Sequence, residues 1–302
     1  MTLQQLRQVL TIAESNSMNE AAKKLFVSQP NLSATVREVE EELGITVFMR
    51  NNRGITVTAE GEEFLGYAKQ VVEQYHLLEN RYLNVESKKK FSVSMQHYSF
   101  AVKAFVQLAK EVGMDEYEFA VHETKTKEVI DNVKNLKSEI GVLYLSDFNE
   151  KVLRKLFKEC DIEFKELFTC NTYVYLWKKH PLAGQKEITL DDLQEYPCLT
   201  FEQGVNNSFY YAEEMMSTYE YKRVIKADDR ATMLNLMVGL NGFTLCSGII
   251  SEDLNGDDYA AIPLKESEKM HIGYIKHKGT KLSKLGEIYI DALKNYENKV
   301  YK

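Results

Sequence analysis

Between residues 28 and 37 the chain sets Gln29, Asn31, Ser33, Thr35 and Arg37 among apolar residues at helical spacing. Amides and guanidinium groups read adenine and guanine edges through paired hydrogen bonds, and hydroxyls serve either base. Ser28 is a good helix cap beside N–H groups that suit a phosphate, and Pro30 is tolerated in a first turn, where N–H groups have no helical partner. Arg50 and Arg53 fall at the turn Asn51-Asn52-Arg53-Gly54, where long cations reach backbone phosphates or the minor groove. Each residue alone fits an ordinary solvated face. Together they point to a reader of double-stranded DNA.

Other chemistries are poorly served. The six histidines are scattered, with no H-x-x-x-H pair, and there is no P-loop, G-x-G-x-x-G or G-x-S-x-G run. Neither a metal, a catalytic centre nor a cofactor is therefore expected. An enzyme built on Cys246 as nucleophile would lack an identifiable base. Cys160, Cys170, Cys198 and Cys246 show no C-x-x-C spacing. They read as reduced, buried thiols, since a redox sensor needs an exposed thiol of low pKa with a partner. The formal charge of -7 lies outside the first 57 residues, which balance six Lys/Arg against six acids. A near-neutral segment still binds DNA if its basic side chains share a face. No apolar run nears the ~20 residues that cross a membrane. The start Met1-Thr2-Leu3-Gln4-Gln5 lacks the blocks of a secretory signal, so the expected location is the cytoplasm.

The positioning elements follow from periodicity and caps. A helix is expected over residues 2–15, with Leu3, Leu6, Leu10 and Ala13 on one face. Ser17-Met18-Asn19-Glu20 forms a capping box for a second helix, with Met18, Ala21, Ala22 and Leu25 inward. The third starts at Ser28, carries Leu32, Val36, Val39 and Leu43 as its core stripe, and stops at Gly44. With a short turn at Phe26-Val27, the second and third helices make a helix-turn-helix whose later helix enters the major groove. Val47-Phe48-Met49-Arg50 and Ile55-Thr56-Val57, around an Asn/Gly turn, make a hairpin wing. Thr58 then caps a long helix, with Glu60, Glu62 and Glu63 at its positive end. Along it Phe64, Ala68, Val71, Tyr75, Leu78, Tyr82 and Val85 recur at 4-3 spacing, a heptad stripe. It packs either on its own domain or against the same helix of a second chain, and a dimer is the expectation.

In these residues the chain resembles the LysR-type transcriptional regulators, a bacterial family. The resemblance rests on Ser17-Met18-Asn19-Glu20-Ala21-Ala22-Lys23-Lys24-Leu25, on Val27-Ser28-Gln29-Pro30 with Ser33, on Leu43-Gly44 with Phe48 and Arg50, and on Arg53 with Thr58 and Gly61. Asn19, Asn31 and Glu60 depart from the residues common there, and Asn31 faces the groove, where it alters base preference. More weakly, the resemblance covers the rest of the chain. Trp177-Lys178-Lys179-His180-Pro181-Leu182-Ala183 matches a run at the start of the family's second lobe. Gly239-Leu240-Asn241-Gly242 stands for its late Gly-x-Gly, and Cys246-Ser247 replaces the usual Leu-Pro. The implied fold is α/β: an N-terminal winged helix-turn-helix (1–57), a long dimerisation linker helix (58–87) and a two-lobed effector domain (88–302) similar to periplasmic binding proteins. Lobe I would be 91–160 plus 270–302, and lobe II 161–269. The resemblance implies a sequence-specific regulator rather than an enzyme. It also implies a small-molecule effector, a dimer that builds a tetramer, and contact with RNA polymerase.

From Phe91 onward, strand-like runs at 91–95, 117–122, 139–145, 173–177, 198–201, 223–227, 243–246 and 271–277 alternate with helical patterns at 100–112, 127–136, 209–218, 231–240 and 282–296. This alternation predicts βαβ units and parallel sheets, with a ligand beyond the carboxyl ends of the strands. By resemblance the cleft is lined by Gln96, His97, Tyr98 and Ser99, by Ser146, by Thr200 with Glu202 and Gln203, and by Thr244 to Ser247. Helix-start N–H groups after Tyr98-Ser99 favour an anion, so a small anionic metabolite is expected. Each of these residues also fits an ordinary turn, and His97 a core histidine. Asp228-Asp229-Arg230 reads either as a helix cap or as a ligand clamp. A solute-binding module with idle N-terminal helices is the remaining alternative.

Overall fold

Thr2 and Gln5 open the first helix, α1 (Leu3–Ala13), by each accepting the other's backbone N–H. The computed structural model describes residues 1–15, 17–51, 54–82, 88–113, 116–206, 208–250 and 252–296. They fall into two units, Met1–Ser87 and Lys88–Lys302.

In the first unit Ser17 caps α2 (Met18–Lys24) by accepting from Glu20 N, while the Glu20 carboxylate pairs with Lys24 at 2.9 Å. Ser28 caps α3 (Gln29–Leu43), which ends on Gly44 at φ +69. Between them Phe26 turns the chain in the left-handed region, φ +54, with its ring 96% exposed. Val9, Ile12, Met18, Ala21, Leu32, Val36, Val47 and Phe48 form the core. The α1 face read from the sequence turns out to be only its second one: Leu3, Leu6 and Leu10 pack with Ala68 and Val72 of α4 (Ala59–Tyr82), while Val9 and Ile12 fill the helix-turn-helix core. Leu43, expected in the core stripe, is exposed because Gly44 ends the helix beside it. The wing pairs β1 (Phe48–Asn51) antiparallel with β2 (Gly54–Val57), Phe48 facing Val57. Glu40 of α3 accepts from Val47 N and Phe48 N at 2.7 and 3.0 Å and so fixes the wing to α3. Thr58 caps α4 through Gly61 N at 2.9 Å. Position 61 must be glycine: a Cβ there would lie 2.3 Å from Val47 O.

In the second unit the chain runs β3 (Lys89–Met95), α5 (Ser99–Val112), β4 (Tyr117–Glu123), α6 (Thr126–Lys134), β5 (Ile140–Leu145), α7 (Glu150–Glu159), β6 (Ile162–Cys170) and β7 (Tyr173–Trp177). It continues β8 (Cys198–Phe201), β9 (Val224–Ala227), α8 (Arg230–Leu240), β10 (Thr244–Cys246), α9 (Glu252–Asn255), β11 (Tyr259–Pro263), β12 (Met270–His277) and α10 (Lys284–Lys294). Lobe I is one sheet in the order β4-β3-β5-β12-β6. All six residues of β5 are buried, as a central strand covered on both faces requires: α5 and α10 pack on one side through Phe100, Leu108, Tyr289 and Leu293, and α6 and α7 on the other through Ile130, Val133, Leu153 and Phe157. Lobe II joins the antiparallel sheet β10-β7-β11 to the parallel pair β8-β9 through the bridge Cys198–Phe243.

Three expectations change. The sheets are mixed rather than parallel, because β12 returns from lobe II and runs antiparallel to β5 and β6. Residues 162–170 form an edge strand of lobe I, so the boundary read at 161 falls too early. Residues 209–218 do not form a helix. After a short turn at Phe209–Tyr211 this segment becomes an irregular arm, because lobe I takes its carbonyls: Thr126 Oγ1 donates to Tyr211 O at 2.7 Å, and Tyr144 OH to Ala212 O and Glu214 O at 3.1 and 3.3 Å.

Candidate nucleic-acid interface and ligand cleft

Along α3 the structure separates residues that the sequence had grouped. Ser28, Pro30, Asn31 and Arg37 are exposed, Gln29 and Thr35 half-buried. Ser33 is buried and cannot meet a base; its Oγ accepts from Gln29 Nε2 at 2.7 Å. Ser33 therefore aims the Gln29 amide. Thr35 Oγ1 donates to Asn31 O at 3.2 Å, which limits its reach. Pro30, Ala34 and Arg37 share one exposed stripe. Ala34 was not singled out in the sequence, yet a small exposed residue is what lets a helix sit deep in a groove and touch a thymine methyl. Arg50 lies in β1, but its side chain, like the whole of Arg53, falls outside the described residues, as do Val85 and the Tyr82 side chain of the heptad stripe. Ser33→Ala is expected to weaken DNA affinity several-fold, the size of one neutral hydrogen bond, about 0.5–1.5 kcal/mol. Unchanged affinity in a fluorescence-anisotropy titration would remove Ser33 from the interface.

The second unit holds a cleft of about 720 Å³, including its open mouth. His97, Tyr98 and Ser99 at the β3–α5 turn, Phe201 at the end of β8, Glu213 and Glu214 of the arm, Arg230 and Met233 of α8, and Thr244 to Ser247 line it. Tyr175, Asn255 and Met270 also line it. Of the residues named from resemblance, His97, Tyr98, Ser99, Thr244 and Ser247 lie here and five do not. Gln96 and Gln203 are buried beneath the wall, where Gln96 Nε2 donates to Thr126 Oγ1 at 2.6 Å and Gln203 Oε1 accepts from Thr126 N at 3.1 Å. Ser146 N donates to Asn149 Oδ1 ahead of α7. Phe201 faces the cleft, and strand alternation turns Thr200 away. Glu202 pairs with Lys226 at 3.5 Å. Asp228-Asp229-Arg230 divides its roles: Asp229 caps α8 through Thr232 N, whereas Arg230 reaches the cleft and is paired with Glu123 of lobe I.

His97 is no ordinary turn residue. Its Nδ1 lies 2.8 Å from Glu213 Oε2, which also accepts His97 N at 2.9 Å, and its ring stacks on Phe201 with centroids 3.6 Å apart. Gln203 Nε2 donates to Glu213 Oε1 at 2.9 Å. Glu214 accepts Phe201 N at 2.8 Å, and burial, with the Glu213 charge adjoining, pushes its carboxyl up to about 8. Folded chains thus hold a proton that unfolded ones release above the ordinary value of 4.5, so this residue's contribution to stability is lost as pH rises between those two values. Glu214→Gln is expected to flatten that slope, gaining on the order of a few kcal/mol relative to wild type at alkaline pH. Denaturant midpoints that stay parallel across the range would contradict this.

Thr244 is 6% exposed, and its Oγ1 has no hydrogen-bond partner among the described residues. Away from the cleft, His180 in the 177–183 run is neutral by construction: Leu182 N donates to Nδ1 at 3.1 Å, leaving Nε2–H for Asn241 O at 3.0 Å, and burial lowers its pKa. That run holds the end of α8. Cys160, Cys170 and Cys198 are buried, and burial pushes Cys170 and Cys246 up to about 12. A thiol-specific reagent should react slowly with the native chain and rapidly with all four cysteines once it unfolds. Fast native labelling would reopen the redox reading. Among the described residues no His/Cys/Asp/Glu group could hold a metal ion, and no helix is long and apolar enough to cross a membrane.

A winged helix-turn-helix joined to a two-lobed α/β unit with a lined cleft defines a ligand-responsive DNA-binding protein. Residues 3–62 match the family described as bacterial regulatory helix-turn-helix protein, lysR family, and residues 114–297 match the LysR substrate binding domain. The chain belongs to the LysR family: it is a DNA-binding transcriptional regulator with an effector-binding domain, not an enzyme. It is 26% identical over 310 residues to the HTH-type transcriptional regulator CysL of Bacillus subtilis (strain 168), covering 98% of each chain. Its fold is similar to full-length OxyR from Pseudomonas aeruginosa, at TM-score 0.68 and 18% identity over 97% of this chain and 94% of that one. It is also similar to CbnR in complex with its target DNA, at TM-score 0.60 and 17% identity over 98% and 99% of the two chains.

Proposed function

We propose that the protein pairs through α4, sets two copies of α3 on an imperfectly palindromic site, and changes that grip when a small anionic metabolite fills the cleft. In this division residues 1–57 read DNA, 58–87 pair the chains and 88–302 sense the effector, in the cytoplasm. Ser28 and the start of α3 take a phosphate, Gln29, Asn31 and Arg37 meet base edges, and Arg50 and Arg53 serve the flanking backbone or minor groove. Pairing through α4 is supported by Tyr67, Val71 and Leu78, which stand exposed while Ala68 and Val72 are consumed within the unit. Helix α8 is apolar nearly all round, yet only Met233 and Met237 are buried, leaving Val238 and Leu240 exposed. A helix of that pattern calls for cover on its outer face, which supports assembly beyond the dimer. Ligand-driven shifts between lobe or dimer arrangements then alter DNA bending and contact with RNA polymerase.

The unpartnered, buried Thr244 hydroxyl carries the effector reading. It lines the same cleft as Ser99, Ser247 and the start of α5, whose unpaired N–H groups and positive dipole end favour negative charge. The test is a footprint of the full-length protein on DNA selected from its own genome, repeated with small carboxylates, sulfonates and phosphates. One such compound should change the footprint of wild type, and Thr244→Val should lose that change. If no anion alters the footprint, the anionic reading fails.

A further inference from the structure

We infer that the effector carries a protonated amine alongside its oxyanion, and that Glu214 is the residue that selects for it; this rests on the cleft reading above. Charge accounting around the cleft supports the amine. Glu213 faces His97, and both of its oxygens are used within the protein, by His97 and Gln203. Arg230 is held by Glu123. Each of these two basic groups therefore already has a carboxylate of its own. Glu214 is 5% exposed, lines the cleft and, among the described residues, has no ion-pair partner. Its carboxyl accepts only neutral backbone N–H groups, Phe201 N at 2.8 Å with those of Glu213 and Glu214 beside it. Once ionised, it adds to the charge of Glu213 on this wall: both carboxylates act to raise the pKa of Tyr98 and of Tyr144, behind burial as the main cause.

A buried carboxyl without a cation either keeps a proton or finds a partner. A ligand ammonium supplies the partner. On binding, the carboxyl proton leaves to solvent and an ion pair forms against the apolar wall of Phe201, Met233 and Met270. An oxyanion alone would use the Thr244 hydroxyl and the α5 start but would leave the Glu214 carboxyl without a cation. Two polar ends of opposite preference in one cleft specify a ligand bearing both charges.

The experiment measures thermal melting of the full-length protein with the common L-amino acids, with their matched 2-oxo acids, in which a carbonyl replaces the amine, and with matched amines lacking the carboxylate. At least one amino acid should raise the melting temperature in a concentration-dependent way, while its 2-oxo acid and its amine do not. Glu214→Gln, which retains an acceptor for Phe201 N, should weaken that binding about ten- to a hundredfold. A 2-oxo acid that binds as tightly as its amino acid, or a Glu214→Gln variant that binds like wild type, overturns the inference and leaves the cleft reading standing. Amines that bind without a carboxylate overturn the oxyanion half of that reading as well. Silence from all three classes overturns the inference, and the footprint with other anions then decides the cleft reading separately.

Discussion

Glu213→Ala should destabilise the second unit by about 3–5 kcal/mol, because three buried donors lose their acceptor at roughly 1–3 kcal/mol apiece. For a unit of this size that is roughly 6–20 °C of melting temperature. The side chains of His97 and Glu213 are only 7% and 4% exposed. Deletion leaves His97 N, His97 Nδ1 and Gln203 Nε2 without an acceptor. The loss does not stop there, because Gln203 holds Thr126 N, Thr126 Oγ1 holds Gln96, and Gln96 Oε1 accepts Tyr98 OH and Tyr144 N at 2.9 and 3.2 Å. These bonds join the arm to lobe I. Glu213→Gln keeps one acceptor oxygen and should cost less. Circular dichroism melts of the three proteins check this, and a Glu213→Ala transition coinciding with wild type would show that the arm is not held through this carboxylate.

The second large effect concerns sequence preference. Gln29→Ala combined with Arg37→Ala removes the paired hydrogen bonders from the start and middle of α3, each worth about 1–3 kcal/mol of discrimination between bases. The ratio of specific to non-specific affinity should fall about tenfold or more for each side chain, while binding to arbitrary duplex changes little, because phosphate contacts carry that part. The buried stripe Leu32, Val36 and Val39 is untouched, so the unit should melt as before. Preserved discrimination in the double variant would place base reading elsewhere, with the wing as the first place to look.

The N-terminal unit was largely legible in the sequence because its determinants are local. Ser28, Pro30 and Gly44 set the ends of α3, and the Asn/Gly turn sets the wing register. Ser33 was misplaced for a reason of a few degrees on the helical wheel: it sits at the edge of the Leu32–Val36 stripe, and burial there converts a candidate base reader into a support for Gln29. The cleft was far less legible. Its walls come from segments scattered between His97 and Met270, and no spacing rule links them. Glu213 and Glu214 lay in a run with helical periodicity. Their segment leaves the helix because Thr126 and Tyr144, distant in sequence, take its carbonyls. The edge strand β6 was missed because Glu163, Lys165 and Glu166 interrupt its apolar residues. Thr244 and Ser247 were reached through resemblance, and it took the cleft geometry to show that the Thr244 hydroxyl has no partner among the described residues.

One titration bears most directly on whether α3 is the reading element of a sequence-specific regulator. The full-length protein is titrated onto a fragment selected from its genome and onto a scrambled duplex of equal length, each at low and at physiological salt. The expected result is an affinity for the selected fragment about a thousandfold or more above that for the scrambled one, with both falling as salt rises and the ratio collapsing in Gln29→Ala/Arg37→Ala. Equal affinity for the two duplexes at both salt concentrations would contradict it.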